Sequence, residues 1–198
     1  MNKKFITILL VISTILISFC EKSEDDDRIT TGELFYDDGI ADLYASPWSD
    51  IAGVQIAVKF NLLVQSATIK NVKYYIGFSG VETRTFRVRV YSENAATGLP
   101  GEDLLDQRVV AAAITGEKWV EVDLTKYNIT VSQGNFFVAM EWVYPPGNNG
   151  TNAQNIGVDT SGPNFMGYVF IHEHGWVPMT TSNGLSFDGD PMIRVFVE

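Results

Sequence analysis

The 198-residue chain has one cysteine, two histidines and few basic side chains. One cysteine cannot form an internal disulfide, and two histidines make a poor zinc site without a third ligand. Lysine and arginine total 14 against 24 acids, so the net charge is −10. Such a field repels phosphate backbones, which argues against nucleic acid as a partner.

The chain also lacks an apolar run long enough to span a bilayer. Its first apolar run, Phe5–Phe19, follows Lys3 and Lys4. As a helix it would extend about 22 Å, which is shorter than a hydrocarbon core of roughly 30 Å. A positive segment followed by a short apolar one is typical of a secretory signal peptide. We therefore predict that residues 1–19 are a signal peptide.

The lone cysteine stands where this apolar run ends. Ile17 and Ser18 shortly before Cys20 resemble the signal of bacterial lipoproteins, although Phe19 occupies a position where a small residue is usual. In that family the cysteine becomes the new N-terminus and is acylated. The resemblance implies that Cys20 is lipidated and anchors the chain to the outer membrane. The alternative is a cysteine buried in a folded core.

An acidic stretch, Glu21–Asp27, follows the cysteine directly. It resembles the short export signals of surface lipoproteins in some Gram-negative bacteria. That resemblance implies display on the outer face of the outer membrane. The alternative is a solvated linker, because runs of like charge are usually disordered. Residues 20–32 are accordingly predicted to be an acylated cysteine and an acidic linker.

The rest of the chain alternates between apolar and polar residues with a period of two, which predicts strands. Residues 85–92 are the clearest case, with Phe86, Val88 and Val90 on one face and Arg87 and Arg89 on the other. The strongest predicted strands are Val54–Phe60, Thr68–Phe78, Thr85–Ser92, Lys118–Leu124, Phe136–Tyr144 and Met192–Glu198. Weaker ones are Glu33–Tyr36, Ile156–Asp159, Met166–His172 and Trp176–Met179, and Asp103–Ile114 is favoured as a bulged strand.

About ten strands without intervening helices predict an all-β, antiparallel, jelly-roll-like β-sandwich, formed as one domain by residues 33–198. The order of Tyr36–Gly39, Trp48, Gly98–Gly101 and Ile156–Ser161 is similar to that in β-sandwich accessory domains of secreted bacterial peptidases, adhesins and surface lipoproteins. This resemblance implies a non-catalytic module.

Aromatic and amide side chains in strands and loops suggest a glycan ligand, because sugar rings stack on aromatic faces and their hydroxyls pair with amides. The alternatives are tryptophans that plug the ends of a sandwich and a structural or adhesive module that binds another surface protein. The candidate ligand-binding residues are Trp48, Trp119, Tyr144, Asn148, Asn149 and Trp176.

Two further hypotheses rest on the acids. A structural calcium ion could be held by Asp37, Asp38, Asp188 and Asp190. The alternative is that these aspartates are turn residues, because aspartate beside glycine is common in turns. A carbohydrate-active enzyme would need two carboxylates at a defined separation, and Glu121 and Glu141 lie out of phase with their apolar neighbours. The sequence contains no Gly-x-Ser-x-Gly elbow or phosphate-binding loop, so the enzyme is the less favoured reading.

The first prediction concerns the anchor. Cys20→Ala should abolish lipid labelling and move the protein from the membrane to the soluble fraction, because two or more acyl chains are what hold such a protein on a bilayer. Fractionation of cells that express the variant checks this. A variant that stays in the membrane fraction would show that another element anchors the chain.

Overall fold

The computed structural model describes residues 31–47, 52–77, 85–112, 116–143, 154–162, 165–183 and 188–198. No helix in these ranges is long and apolar enough to cross a membrane, and the helices are the short turns Thr125–Tyr127 and Thr181–Asn183. The strands are β1 (Gly32–Leu34), β2 (Leu43–Ala45), β3 (Gln55–Ile76), β4 (Thr85–Glu93), β5 (Pro100–Asp103), β6 (Val109–Ala112), β7 (Lys118–Asp123), β8 (Thr130–Trp142), β9 (Ile156–Asp159), β10 (Gly167–Ile171), β11 (Gly175–Pro178), β12 (Asp190–Pro191) and β13 (Ile193–Val197).

The strands form two antiparallel layers that share β3. In sheet A, the second half of β3 pairs with β13 and β7, β13 pairs with β1, and β9 joins β3 at Ile76 and carries β2 and β12. In sheet B, the first half of β3 lies between β10 and β8. There β10 pairs with β11, while β8 pairs with β4, which carries β5 and β6.

The 22 residues of β3 pass from one layer to the other through an irregularity. Its register with β8 shifts between Leu62 and Ser66, as at a β-bulge, and a bulge bends a strand. The two halves then face each other across the core, because the Tyr74 hydroxyl donates to the Ala139 carbonyl at 3.1 Å and Ala139 is paired with Ala57 near the start of β3. One strand therefore contributes inward side chains to both layers.

The hydrophobic core lies between the two sheets and contains the residues that the period of two places inward. Phe86, Val88 and Val90 of β4 are each 0 % exposed, as predicted. Trp142 is buried as predicted, and its indole N–H donates to the Gln154 carbonyl at 2.7 Å. The all-β, antiparallel class predicted from the sequence is confirmed.

The strand count and two boundaries differ from the prediction. Thirteen strands are present among the described residues, because β2, β5 and β12 are short segments without alternation. Residues 55–60 and 68–76, predicted as parts of two strands, belong to one, because Asn61, Leu62, Ser66 and Ala67 between them stay paired to β8. Within the predicted Asp103–Ile114 strand, β6 covers only Val109–Ala112, while Asp103 ends β5.

The Arg194 guanidinium joins the N-terminal segment to the outer face of sheet A. Arg194 donates to Asp37 from Nη2 at 2.5 Å and lies 3.7 Å from Glu33 through Nη1. Its Cζ lies 4.7 Å from the ring centroid of Phe35 and 4.5 Å from that of Trp119. The Asp37 side chain is only 1 % exposed, so this carboxylate depends on Arg194 for its charge partner.

Arg194→Ala should lower the free energy of unfolding by about 3 kcal/mol, because it leaves the buried Asp37 carboxylate unpaired. Arg194→Lys should recover only part of the loss, since lysine lacks the planar fork and the stacking faces. The matched control is Lys70→Ala, which removes an exposed ion pair of 3.3 Å to Glu198 and should cost about 0–1 kcal/mol. Urea unfolding measures all three, and equal losses for Arg194→Ala and Lys70→Ala would contradict the role given to Arg194.

Candidate functional site

The outer face of sheet B carries an unusual set of side chains. The residues of β3 that alternate with its core positions point to this face, yet Gln55 and Ala57 are only 9 % and 0 % exposed. On β8, Phe137 and Ala139 are 0 % exposed in the same way. A second, smaller hydrophobic cluster therefore covers the side of sheet B that faces away from the core.

Aromatic rings build this outer cluster across several strands. Trp176 on β11 lies 5.5 Å from the Phe170 ring on β10 and 5.7 Å from the Tyr91 ring on β4. Tyr168 on β10 meets Phe137 on β8 edge to face at 5.3 Å. Since Phe170, Trp176 and Tyr168 are half-buried, each presents part of its ring to solvent.

Two alanines make room for the Tyr91 ring. Ala57 and Ala139 are directly paired on neighbouring strands, and both are fully buried. The Tyr91 hydroxyl donates to Gln55 Oε1 at 2.7 Å. Tyr91 itself is paired with Phe137, so the alanine pair lies between Tyr91 and Gln55 along the strands. The ring consequently passes over the row of the alanines, and its burial raises the pKa of Tyr91 to about 12.

Charged residues frame the aromatic cluster, and they are paired with each other. Arg89 Nε donates to Glu141 Oε2 at 2.6 Å, and Arg89 Nη1 pairs with Asp103. Arg87 Nη1 lies 3.8 Å from the same Glu141 oxygen. Glu141, one of the two acids considered for catalysis, is therefore held between two arginines.

A cavity of about 330 Å³ opens beside Tyr168. Asn61 and Asn135 line it and are joined by a hydrogen bond of 2.9 Å from Asn61 Nδ2 to Asn135 Oδ1. Asn135 donates in turn to both oxygens of Glu93, at 2.9 and 3.0 Å. Pockets for small ligands begin at about 300 Å³, so this one is large enough for a single sugar ring. The full lining is Tyr36, Lys59, Asn61, Asn135, Met166 and Tyr168.

Glu93 is the ion-pair partner of Lys59, which lines this cavity. Its carboxylate lies 2.6 Å from Lys59 Nζ, and the hydrogen bonds from Lys59 and Asn135 lower the pKa of Glu93 against the smaller effect of its burial. A second cavity of about 290 Å³ lies beyond Glu93 and Asn135, along the part of β8 around Gly134. The aromatic residue lining it, Phe136, is 1 % exposed, so it offers no stacking surface.

Two of the predicted ligand residues, Trp119 and Trp176, lie on opposite sides of the fold. Trp119 lies on the outer face of sheet A, stacked against Arg194 and 5.3 Å from the Tyr75 ring, whereas Trp176 lies on the outer face of sheet B. The two tryptophans therefore do not share one surface. Trp48, Tyr144, Asn148 and Asn149 lie outside the described residues, as does Cys20.

The predicted calcium ligands are engaged by protein donors. Asp37 pairs with Arg194, Asp38 accepts from the Ile40 N–H at 2.8 Å, and Asp188 accepts from the Thr181 N–H at 2.5 Å. Asp190 accepts from the Met166 N–H. Within the described ranges, no group of three or more histidine, cysteine or acidic residues is arranged to hold a metal ion. Calcium binding by these residues stays a prediction, which the effect of EDTA on the melting temperature would test.

Several residues of the outer face of sheet B were missed by the sequence analysis. The signal was present in the phase opposite to the core, where Phe137 and Ala139 on β8 and Tyr91 on β4 stand at positions that a solvated face gives to polar residues. The pairing of Asn61 with Asn135 had no such signal, since they are 74 positions apart.

Comparison with known proteins supports the fold. No protein-family model matches the chain, and no curated protein matches its sequence. Among solved structures, the chain is similar to the cysteine protease and lectin-like domains of Cwp84, a surface-layer-associated protein of Clostridium difficile. The TM-score is 0.53 with 10 % sequence identity, and the match covers 85 % of this chain and 36 % of that one. At this identity the likeness shows a shared β-fold.

Two buried acids that face each other should show opposite pH effects. Asp190 is paired with Asp159 in register; burial, with help from the Asp159 charge, raises the pKa of Asp190. Burial also opposes ionisation of Asp159, but hydrogen bonds from Ser161 and Asp38 outweigh it and lower the pKa of Asp159. The free energy of unfolding therefore falls as the pH rises through the folded pKa of Asp190 and this group ionises. Ionised Asp159 instead raises the free energy of unfolding, and this contribution is lost as the pH falls through its folded pKa.

Asp190→Asn should therefore raise the melting temperature at about pH 7, and the gain should shrink toward about pH 4, near the ordinary pKa of aspartate. The amide oxygen can still accept from the Met166 N–H. Asp159→Asn is the control and should lower the melting temperature at neutral pH, with a loss that shrinks on acidification. Calorimetry over this pH range measures both, and differences of the same sign would refute the assignment.

Proposed function

We propose that the chain is a non-catalytic, surface-anchored lipoprotein whose β-sandwich binds a glycan in the Tyr168 cavity. The observation that carries this proposal is a half-buried aromatic ring beside two linked amides in a cavity of sugar size. The chemistry is that of sugar recognition, in which a ring face packs against C–H groups and amides pair with hydroxyls. Likeness to a structure that contains a lectin-like domain is compatible with it.

The Tyr168 ring is held in a fixed orientation. Its edge-to-face contact with Phe137 has an interplanar angle of 88°, and its backbone is paired to Ala57 on one side and Pro178 on the other. A rigid aromatic ring contributes contact area with little loss of conformational entropy on binding. Phe170 and Trp176 continue the aromatic surface along the same outer face, so a ligand of several sugar units has further rings to contact.

The polar groups of the cavity are ordered before any ligand arrives. Asn135 is fixed by Asn61 and Glu93, and Lys59 also lies within 3.4 Å of the Gly98 carbonyl. Asn61 and Asn135 face the solvent side of this network, where an amide can exchange a water for a sugar hydroxyl. Preorganisation of this kind favours binding, because fewer side chains lose freedom when the ligand is bound.

The anchor fits the position of β1 in the fold. Gly32 at the start of β1 is paired with Val197, which is paired with Ile69, close to the bend in the middle of β3. Cys20 precedes Gly32 by twelve positions, which allow a separation of about 40 Å when fully extended. Lipidation at Cys20 would thus hold the domain near the membrane by its bent end, with the row of Phe170 and Trp176 toward the opposite end.

A second candidate function, binding of another surface protein, is favoured by a different surface. Phe35 and Ile40 in the N-terminal segment are 50 % and 68 % exposed, which is high for large apolar side chains. Phe35 lies on the outer face of sheet A, away from the Tyr168 cavity. Activity as a carbohydrate-active enzyme remains a third proposal, and release of reducing ends from polysaccharides would test it.

Tyr168→Ala should weaken glycan binding at least tenfold, equivalent to about 1.4 kcal/mol, because it removes the ring that closes the cavity. Phe35→Ala is the matched control, since it removes an exposed aromatic ring on the other sheet and should leave the affinity unchanged. A glycan array finds the ligand, calorimetric titration gives the affinities, and melting temperatures confirm that both variants fold.

The outcomes separate the candidates. If wild type binds no glycan at millimolar concentration, the glycan proposal is wrong and the protein-binding function takes its place. If Phe35→Ala abolishes glycan binding and Tyr168→Ala does not, the ligand binds to sheet A.

A further inference from the structure

We propose that the Tyr168 cavity selects uncharged glycans, and that the Lys59–Glu93 ion pair is the element that sets this selectivity. The inference rests on the proposed glycan-binding function and names the class of its ligand. Its basis is the charge pattern of the outer face of sheet B, where the cations on the described parts of β3, β4 and β8 are each paired with an acid.

Lys59 is the cation that lines the cavity, and its charge is already compensated. Its Nζ lies 2.6 Å from Glu93 Oε1 and 3.4 Å from the Gly98 carbonyl, and it lies 5.7 Å from the Phe137 ring centroid. Asn135 holds the Glu93 carboxylate in place through two further hydrogen bonds. A carboxylate or sulfate on a ligand in the cavity would meet a lysine whose charge Glu93 already compensates, and repulsion from the Glu93 carboxylate behind Lys59 would offset the attraction.

The arginines on this face are too far away to change that balance. Arg89 is paired with both Glu141 and Asp103. Arg87 lies 3.8 Å from Glu141 and keeps a buried Nε without a hydrogen-bond partner, so it is the least compensated cation of this face. Arg87 stands six positions before Glu93 on β4, however, which is about 20 Å along an extended strand. An anionic sugar in the Tyr168 cavity would not reach it.

Uncharged sugars meet no such opposition. Their hydroxyls can accept from and donate to the amides of Asn61 and Asn135 without breaking the ion pair. The net charge of −10 also repels polyanions at long range, before contact, and so favours uncharged ligands. Binding of a neutral glycan should accordingly change little with salt, because screening acts on exposed unpaired charges.

The test compares neutral oligosaccharides with oligouronates of equal length on the full mature protein. Wild type should bind the neutral series, with an affinity that stays within about twofold between low and high salt, and should not bind oligouronates. Glu93→Gln leaves Lys59 unpaired beside the cavity, so oligouronate binding should appear, with a Kd at least about tenfold below the highest concentration at which wild type shows no binding, and salt should weaken it. Glu121→Gln, on exposed β7 of sheet A, changes the net charge equally and should gain nothing.

The results distinguish this inference from the function on which it rests. If wild type prefers oligouronates, or if Glu93→Gln folds but gains no oligouronate binding, the inference is overturned while glycan binding stands. Oligouronate binding to wild type that Arg87→Ala removes would likewise overturn it and move the charged subsite to the other end of the face. If neither series binds wild type, glycan binding itself fails. Circular dichroism and melting temperatures establish that each variant is folded.

Discussion

The backbone of β3 is the constraint on which the rest of the structure depends. It pairs with β7, β8, β9, β10 and β13, and it contributes inward side chains to both layers. Since side chains alternate with a period of two, the bend between Leu62 and Ser66 must keep apolar residues inward on both sides of it. The same strand places Gln55, Ala57, Lys59 and Asn61 on the outer face of sheet B, so the core and the candidate site share one register.

The two outer faces are stabilised by different physics. On sheet A, one guanidinium between Phe35 and Trp119 binds the buried Asp37 and holds the N-terminal segment to β13. On sheet B, aromatic rings pack over two alanines, and ion pairs border them. The first arrangement uses Trp119, one of the candidate ligand residues from the sequence, as a packing surface for a cation. The second leaves half-buried rings next to a cavity, which is why the candidate site belongs there.

Much of the fold could be predicted from alternation alone. Phe86, Val88 and Val90 are buried because a half-buried strand must direct every second residue inward, and that pattern is visible without any structure. The short strands β2, β5 and β12 could not be predicted in this way, since two to four residues carry no period and owe their conformation to pairing with distant partners. The candidate site was foreseen only in kind, as an aromatic surface with amides. Of the two named ligand residues that the structure describes, Trp176 lies on the outer face of sheet B and Trp119 on that of sheet A.

Local spacing and composition are enough to predict the all-β class, the inward phase of each long strand and the acidic balance of the chain. They do not show which outward residues meet: that Trp119 and Trp176 face opposite sides, that Asn61 reaches Asn135 across 74 positions, and that Glu93 compensates Lys59. The physical reason is that period-two alternation fixes the face of a residue within its own strand, whereas its neighbours on that face follow from strand order and register, which long-range pairing sets.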